Sequence, residues 1–412
     1  FCRSQSISNY SAVTAALMMV SRANFDLVGG FDDARLPEFY ADIDFCLRLR
    51  DKGKTSVYTP WATATYHKLT IEPRPDSIKT LNLMAIERSA LRLRHPETFE
   101  ADADPFHSPN LSQWRTDFWV DAALTGGYKS VTPQPFDDGV IVTRRFREAE
   151  KRRACVFAHF DKRGVIAPYV THMLRSLSDH LDIIFVSTAR KLPDSEFDKI
   201  SDVVCAAISR NNIGYDFGSW KTGLREVDLE AIDQLILCND SSFGPFNGFE
   251  TFFERWAEAG ANVFGISDSF EVSPHLQSYF VGFDRLALSS DSFRAFWDDY
   301  GVIEDKLELV RRYEVGLTRA MRAAGLSVDC MNPALDIGYM NNTHYEWRSL
   351  LQRGSPFLKI ELVRDNPMNL DLGDLPDYIR SFDYPIELID KELGRVGKKL
   401  DDLKATGGKG LR

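Results

Sequence analysis

Residues 234–241 read Gln-Leu-Ile-Leu-Cys-Asn-Asp-Ser (QLILCNDS): a short apolar run rich in strand formers that stops at an amide, a carboxylate and a hydroxyl. Runs of the same kind precede and follow it. Upstream stand Ala154–Phe160 (ACVFAHF), Asp182–Ser187 (DIIFVS) and Val203–Ile208, and downstream stands Asn262–Ile266 (NVFGI). Between them lie segments of helical period at Ile166–Leu177, Ser219–Val227 and Phe249–Glu258. Strands alternating with helices predict an α/β fold with a mostly parallel sheet flanked by helices on both faces. In such sheets ligands gather outside the carboxyl ends of the strands, so the polar residues just after each strand become the candidates.

Asp240 is placed at such a strand tip. A carboxylate there can hold Mg²⁺ or Mn²⁺ against the diphosphate of a nucleotide, or it can close an Asx-turn or cap a helix, and the residue types alone do not choose. The segment Asn211–Lys221 (NNIGYDFGSWK) puts Asn212, Gly214, Asp216 and Lys221 between a strand and a helix, a composition suited to close backbone approach by a nucleotide. Its spacing is neither GxGxxG nor a P-loop. His159 and Asp161 follow the first strand of this series and fall on the same side of the sheet, although a lone histidine more often serves a structural hydrogen bond.

The whole chain has 412 residues, which at ~150 residues per domain is two or three cores. Its formal charge of −10 argues against a nucleic-acid partner. Hydrophobic residues at 44% exclude wholesale disorder. Six cysteines without a CxxC pair fit a reducing compartment, and no apolar stretch approaches the ~20 residues of a membrane span. The first residue is Phe1, with no signal region behind it, which suggests a fragment of a longer protein. Gly, Pro and Asp cluster between 124 and 150, and a linker is expected there. The expected organisation is therefore 1–123, a linker over 124–150, a second domain over 151–367, and a C-terminal loop and amphipathic helix over 368–412.

The strings NNIGYDFGSWKTGL, LILCNDSSFGPF and HLQSYFVGF (His275–Phe283), with Asn342-Thr343-His344 and Pro356-Phe357-Leu358-Lys359, resemble the rhamnan synthesis protein F family over about 154–367. The resemblance implies a glycosyltransferase of bacterial cell-surface polysaccharides with a GT-A-like arrangement. In it Asn239-Asp240-Ser241 takes the place of a DxD element with one carboxylate instead of two. It implies a nucleotide-sugar donor, with dTDP-rhamnose as the first candidate, and a lipid-linked glycan acceptor at the cytoplasmic face. His275, Gln277 and Ser278 are placed to line the acceptor side or simply to enter a strand. Glu314, in the helix-like stretch Leu307–Ala324, is a candidate general base or a solvated helical residue.

Residues 7–112 carry a different pattern: AVTAALMMVS (12–21), FDLVGGFD (25–32), YADIDFCLR (40–48), Tyr66-His67 and DPFHSPNLS (104–112). This order resembles the acceptor half of family 2 glycosyltransferases. The resemblance gives Asp42 the role of general base and His67 that of a second metal–diphosphate anchor. Asp44 and Arg48, four apart, are read as a structural ion pair, and Gly29-Gly30 as a tight turn. A GT-A domain needs its first ~100 residues for the nucleotide, so this half is expected to be inactive as it stands. At the other end Pro385–Leu403 reads as an amphipathic helix, and from Lys391 to Arg412 seven basic residues face three acidic ones. The helix suits a cap on the preceding domain or a peripheral contact with anionic lipid. Against the transferase reading stands a noncatalytic glycan-binding or scaffold module, which the single carboxylate keeps open.

Overall fold

The computed structural model describes residues 6–65, 83, 87–88, 90–100, 104–108, 131–189, 192–269, 274–334 and 341–406. The chain divides into two compact units, Phe1–Lys129 and Ser130–Arg412.

In the first unit β1 (Ser8–Tyr10) pairs antiparallel with β2 (Ser56–Tyr58). Between them the helix Ala41–Asp51 buries Phe45, Cys46, Leu47 and Leu49. Its interior polar residue is Asp44, wholly buried, which accepts from Arg48 Nε at 2.6 Å and lies 2.9 Å from His95 Nε2. Arg48 in turn donates to the carbonyls of Val28 and Gly30. The expected ion pair is present, and it clamps the Gly29-Gly30 turn, where both residues adopt positive φ (+76° and +74°).

Among the described residues the second unit is built on a nine-stranded sheet. Its strands are β3 (Val140–Arg145), β4 (Arg153–His159), β5 (Asp182–Ser187), β6 (Ala206–Arg210), β7 (Gln234–Asn239), β9 (Val263–Ser269), β10 (His275–Leu276), β11 (Phe280–Asp284) and β12 (Val328–Asn332). The spatial order is β10-β9-β11-β7-β4-β5-β6-β3, with β12 beside β9. Strands β7, β4, β5 and β6 pair in parallel, as do β9 and β12. The opposed strands are β3, β10 and β11, the last lying between β7 and β9. A two-stranded ribbon, β8 (Ser242–Phe243) with β13 (Leu358–Lys359), leaves the rim of β7. The expected α/β architecture with a mostly parallel sheet is found.

Alternate residues of the central strands feed two apolar layers. Cys155, Phe157, Ile183 and Phe185 join one; Ala154, Val156, Ala158, Ile184 and Val186 join the other. The first layer is closed by the helix Pro168–Ser178, whose Tyr169, Val170, Met173, Leu174 and Leu177 recur at helical spacing. The second is closed by the helix Tyr215–Leu224, with Phe217 and Trp220 buried. That helix comes unusually close to the sheet: a Cβ on Gly223 would stand 2.3 Å from Val156 Cγ1.

Two expectations of organisation need correction. The expected linker over 124–150 contains β3, which pairs antiparallel with β6 from Val140 to Arg145, because an open sheet edge recruits any neighbouring extended segment. The C-terminal segment, expected as a loop and one amphipathic helix, differs in its elements. It consists of the helix Leu375–Ile379, where a loop is expected, then the helix Glu387–Gly394 and a 3₁₀ turn at Leu400–Thr406 in place of one long helix. Leu388, Ile389, Leu393 and Leu400 enter the first apolar layer, so the apolar side that would meet lipid is consumed in the core. Among the described residues no helix is long and apolar enough to cross a membrane.

The close approach at Gly223 makes a direct test. Gly223→Ala forces the helix off Val156 and Val186, and the unfolding free energy from urea titration should fall by roughly 1–3 kcal/mol, the usual cost of overpacking a core. An unchanged midpoint would mean that the helix is not held at that distance.

Candidate functional site

Register brings the site together. In the parallel pairing of β4 with β7, Ala158 lies opposite Asn239, so His159 and Phe160 leave the sheet beside Asp240. The Asp240 carboxylate accepts from the Phe160 N–H at 3.0 Å, and His159 Nε2 is 3.9 Å from the same oxygen. His159 Nδ1 lies 2.9 Å from Ser187 Oγ at the tip of β5. Three adjacent strand ends are thereby laced in a row. From the flanking helix, Tyr169 donates its hydroxyl to the Asp240 carbonyl at 3.1 Å.

On the other side Asn239 donates from Nδ2 to Asp216 at 2.9 Å, tying the strand tip to the helix that starts at Tyr215. Its Oδ1 accepts from the backbone N–H of Ser241 at 3.1 Å and from Ser241 Oγ at 2.5 Å. The Asx-turn is thus made by Asn239, which leaves the neighbouring carboxylate out of that structural duty. Lys359, from β13, donates to Ser241 Oγ at 3.0 Å and stands 3.9 Å from the centre of the Tyr279 ring. Asn239, Asp240, Ser241, Asp216, Glu314 and Lys359 are all half-buried, a polar patch that water reaches only in part.

The electrostatics follow from that partial exclusion of water. Burial pushes the Asp240 carboxyl up to about 8; the negative charges of Asp216 and Asp161 add to this, while the Phe160 N–H opposes it. Asp216 is raised as well, by burial against the pull of Asn239 and Lys359. The Lys359 ammonium is brought down to about 8 by burial, although Glu314 and Asp216 both favour its charge. His159 falls to about 4, again by burial, so it is a neutral imidazole at physiological pH.

Other expected site residues have different surroundings. Lys221 caps carbonyls at the end of the helix Asp291–Asp298, donating to Trp297 at 2.6 Å, because its position near the far end of its own helix carries it away from the strand tips. Gly214 is the left-handed residue before that helix (φ +76°), and its carbonyl accepts from Tyr300 OH at 2.8 Å. Asn212 is exposed in the loop before it. Asp161 is buried in a turn, accepting from Arg163 N at 2.7 Å, and pairs with Arg395 of the C-terminal segment. Gln277 accepts from Ser267 Oγ at 2.7 Å, and the same Oγ lies 2.8 Å from Tyr279 OH. The Ser278 N–H donates to Glu314 at 2.8 Å, which brings the candidate base to the strand that leads into β11. His275 is buried in β10 opposite Ser269.

In the first unit Asp42 is the second residue of its helix, with one carboxylate oxygen accepting from Ala15 N and the other from Ile43 N, each at 2.9 Å. His67 lies outside the described residues. Sequence reasoning missed Lys359 and Tyr169 as site members. Lys359 stands far along the chain in a two-residue strand, and only its inclusion in the family resemblance marked it.

Residues 183–403, just over half of the chain, match the family described as rhamnan synthesis protein F. The chain belongs to that family. Among curated relatives, virulence protein VirA of Vibrio anguillarum is 29% identical, over 58% of this chain and 88% of its own. The uncharacterized protein y4gN of Sinorhizobium fredii is 27% identical, over 54% of this chain and 58% of its own. Distant likenesses among solved structures include a putative nucleotide-diphospho-sugar transferase from Desulfovibrio desulfuricans, with TM-score 0.26 and 15% identity, covering 49% of this chain and 95% of that one. Another is TarS of S. aureus, with TM-score 0.29 and 11% identity, covering 62% and 83%.

The raised Asp240 carboxyl makes stability depend on pH in a stated direction. Between about 4 and about 8 the native state holds a proton that the unfolded chain has released, so stability falls as pH rises through that window. Asp240→Asn lacks the titration. Its melting temperature should match the parent near pH 4 and exceed it at pH 8 by at least about 3 °C, the shift that ~1 kcal/mol produces in a domain of this size. Parallel curves for the two proteins between pH 4 and 8 would show that Asp240 titrates normally.

Proposed function

We propose that this protein is a glycosyltransferase of bacterial cell-surface polysaccharide synthesis. Its second unit takes a nucleotide-activated sugar at the carboxyl rim of the sheet. The observation that carries this reading is the convergence of Asn239-Asp240-Ser241 with Asp216 and Lys359 at one half-buried rim. Membership of the rhamnan synthesis protein F family supports it. The same membership favours rhamnose from a dTDP donor and a lipid-linked glycan acceptor at the cytoplasmic face of the membrane.

The chemistry asked of the site is displacement at an anomeric carbon. An acceptor hydroxyl forms the new C–O bond, the bond to the nucleoside diphosphate breaks, and the hydroxyl proton passes to a carboxylate. We assign that proton to Glu314, which Ser278 N–H holds in place. Lys359 faces the negative charge that develops on the departing diphosphate. Asn239 fixes the tip by bonding both Asp216 and Ser241.

A divalent cation suits Asp240 for a specific reason. The carboxyl is kept from ionising by burial and by Asp216 and Asp161, and a dication is the partner that would reverse this. Among the described residues no three His, Cys, Asp or Glu side chains stand together as a ligand set, so the remaining ligands would come from phosphate oxygens and water, as is usual for Mg²⁺. When bound, such a cation neutralises charge on the diphosphate. For the first unit we propose the acceptor half of a family 2 transferase with Asp42 as its base, a role for which the two backbone amides at its carboxylate supply a fixed orientation.

Thermal shift with dTDP, UDP, GDP and their sugar derivatives, with and without Mn²⁺, tests the reading. A ligand at 100 times its Kd should add ~2.7 kcal/mol of stability. Asp240→Ala should lose the Mn²⁺-dependent part and lower sugar transfer at least tenfold, a loss of about 1.4 kcal/mol in transition-state stabilisation. Silence across the whole panel would instead support a noncatalytic glycan-binding or scaffold module.

A further inference from the structure

Beside the strand tips lies a second group of polar residues that the donor site does not use. Asn332 ends β12 and pairs in parallel with Ser267 of β9. Asn342 begins the helical turn Asn342–Tyr345 and donates from Nδ2 to the carbonyl of Asp268, the next residue of β9, at 2.6 Å. His344 lies in the same turn, which packs against β13. Ser242, in β8, pairs with Lys359 of that strand. All four residues are buried, none more than 2% exposed.

None of them has its full set of hydrogen-bond partners. Among the described residues, Ser242 Oγ, Asn342 Oδ1, both polar atoms of the Asn332 amide and both ring nitrogens of His344 are without a partner. The Glu361 carboxylate stands 3.8 Å from His344 Nε2, beyond hydrogen-bond range. Native proteins pair nearly all such atoms, so a concentration of them at one sheet end calls for an occupant.

We propose that Ser242, Asn332, Asn342 and His344 form a carbohydrate subsite that takes the hydroxyl groups of one hexose unit. The donor and acceptor inventory selects that chemistry. The Asn332 amide offers two donors and an acceptor on one plane, Asn342 Oδ1 accepts, and the Ser242 hydroxyl does either. Burial lowers the proton affinity of His344, so its neutral ring presents one donor and one acceptor. Such a mixture matches vicinal hydroxyls, each of which donates one bond and accepts others. An anion would find too many acceptors there, and an apolar group would leave every atom unpaired.

The subsite is continuous with the proposed donor site. Ser242 follows Ser241, whose Oγ receives Lys359, and Tyr279 under that ammonium bonds Ser267, the strand partner of Asn332. The occupant is therefore either the sugar of the donor or the terminal residue of the glycan acceptor. This inference rests on the transferase reading for its setting, but the unpartnered atoms do not depend on it.

The test uses the full chain and the variants Ser242→Ala, Asn332→Leu and His344→Phe, which replace the polar atoms with apolar side chains. The probes are dTDP, dTDP-L-rhamnose, UDP-glucose and a rhamnose oligosaccharide, followed by calorimetry and thermal melting. Because the atoms are unpaired in the free protein, the variants should melt at or above the parent temperature. They should bind dTDP as the parent does. Loss of at least tenfold in affinity for a nucleotide sugar assigns the subsite to the donor, and the same loss confined to the oligosaccharide assigns it to the acceptor. Unchanged affinity for every carbohydrate, or a lowered melting temperature with unchanged binding, overturns the proposal and makes these residues a structural, water-filled network. If the parent binds none of the nucleotides, the transferase reading fails, and oligosaccharide binding alone decides the subsite.

Discussion

The parallel pairing of β4 with β7 is the constraint on which the candidate site depends. A shift of one residue would turn every side chain of β7 to the other layer, exchanging Leu235 and Leu237 with Ile236 and Cys238. Both faces are filled, so the register is specified from two sides at once. With Ala158 fixed opposite Asn239, the chain must emerge with Phe160 N–H next to Asp240. The strand tips are thus placed by the packing of the layers beneath them, and the polar residues at the rim contribute orientation only.

Much of this was legible because buried parallel strands write themselves as short apolar runs. DIIFVS and QLILC coincide with β5 and β7 to within a residue, and the amide and carboxylate that end the second run are at its rim. What was illegible has a common cause. Lys359 comes from a two-residue strand with no periodicity of its own, and β3 from an exposed edge whose Val140 and Ile141 look toward solvent as loop residues do. Lys221 misled because a basic residue soon after a glycine turn suits a nucleotide equally well whether it points to the strand tips or, one helical turn further on, toward the carbonyls of Trp297 and Tyr300. Sequence spacing fixes the helix but not which of its ends faces the rim.

Charge at the rim is arranged so that no group is comfortable alone. Asp240 and Asp216 are both pushed toward the neutral acid, Lys359 is pushed toward the neutral amine, and all three shifts come first from partial exclusion of water. Groups in that condition respond strongly to an incoming ion, because the added charge replaces solvation that the fold has removed. A fully exposed carboxylate would bind the same ion with far less gain, since water already screens it.

The buried amides of Asn332 and Asn342 and the imidazole of His344 obey the same logic with hydrogen bonds in place of charge. A buried donor or acceptor left unpaired costs about 1–3 kcal/mol, so a ligand that pairs the free atoms of Asn332, Asn342 and His344 gains from each of them. A core selected for stability alone would fill these positions with Leu or Phe, as it does at Leu350 and Phe357 close by. Their presence as polar residues beside a rim of groups pushed toward their neutral forms fits one economy. The apolar layers set the strands rigidly enough that the rim can keep both its charges and its hydrogen-bonding atoms unfulfilled until a ligand supplies the missing partners.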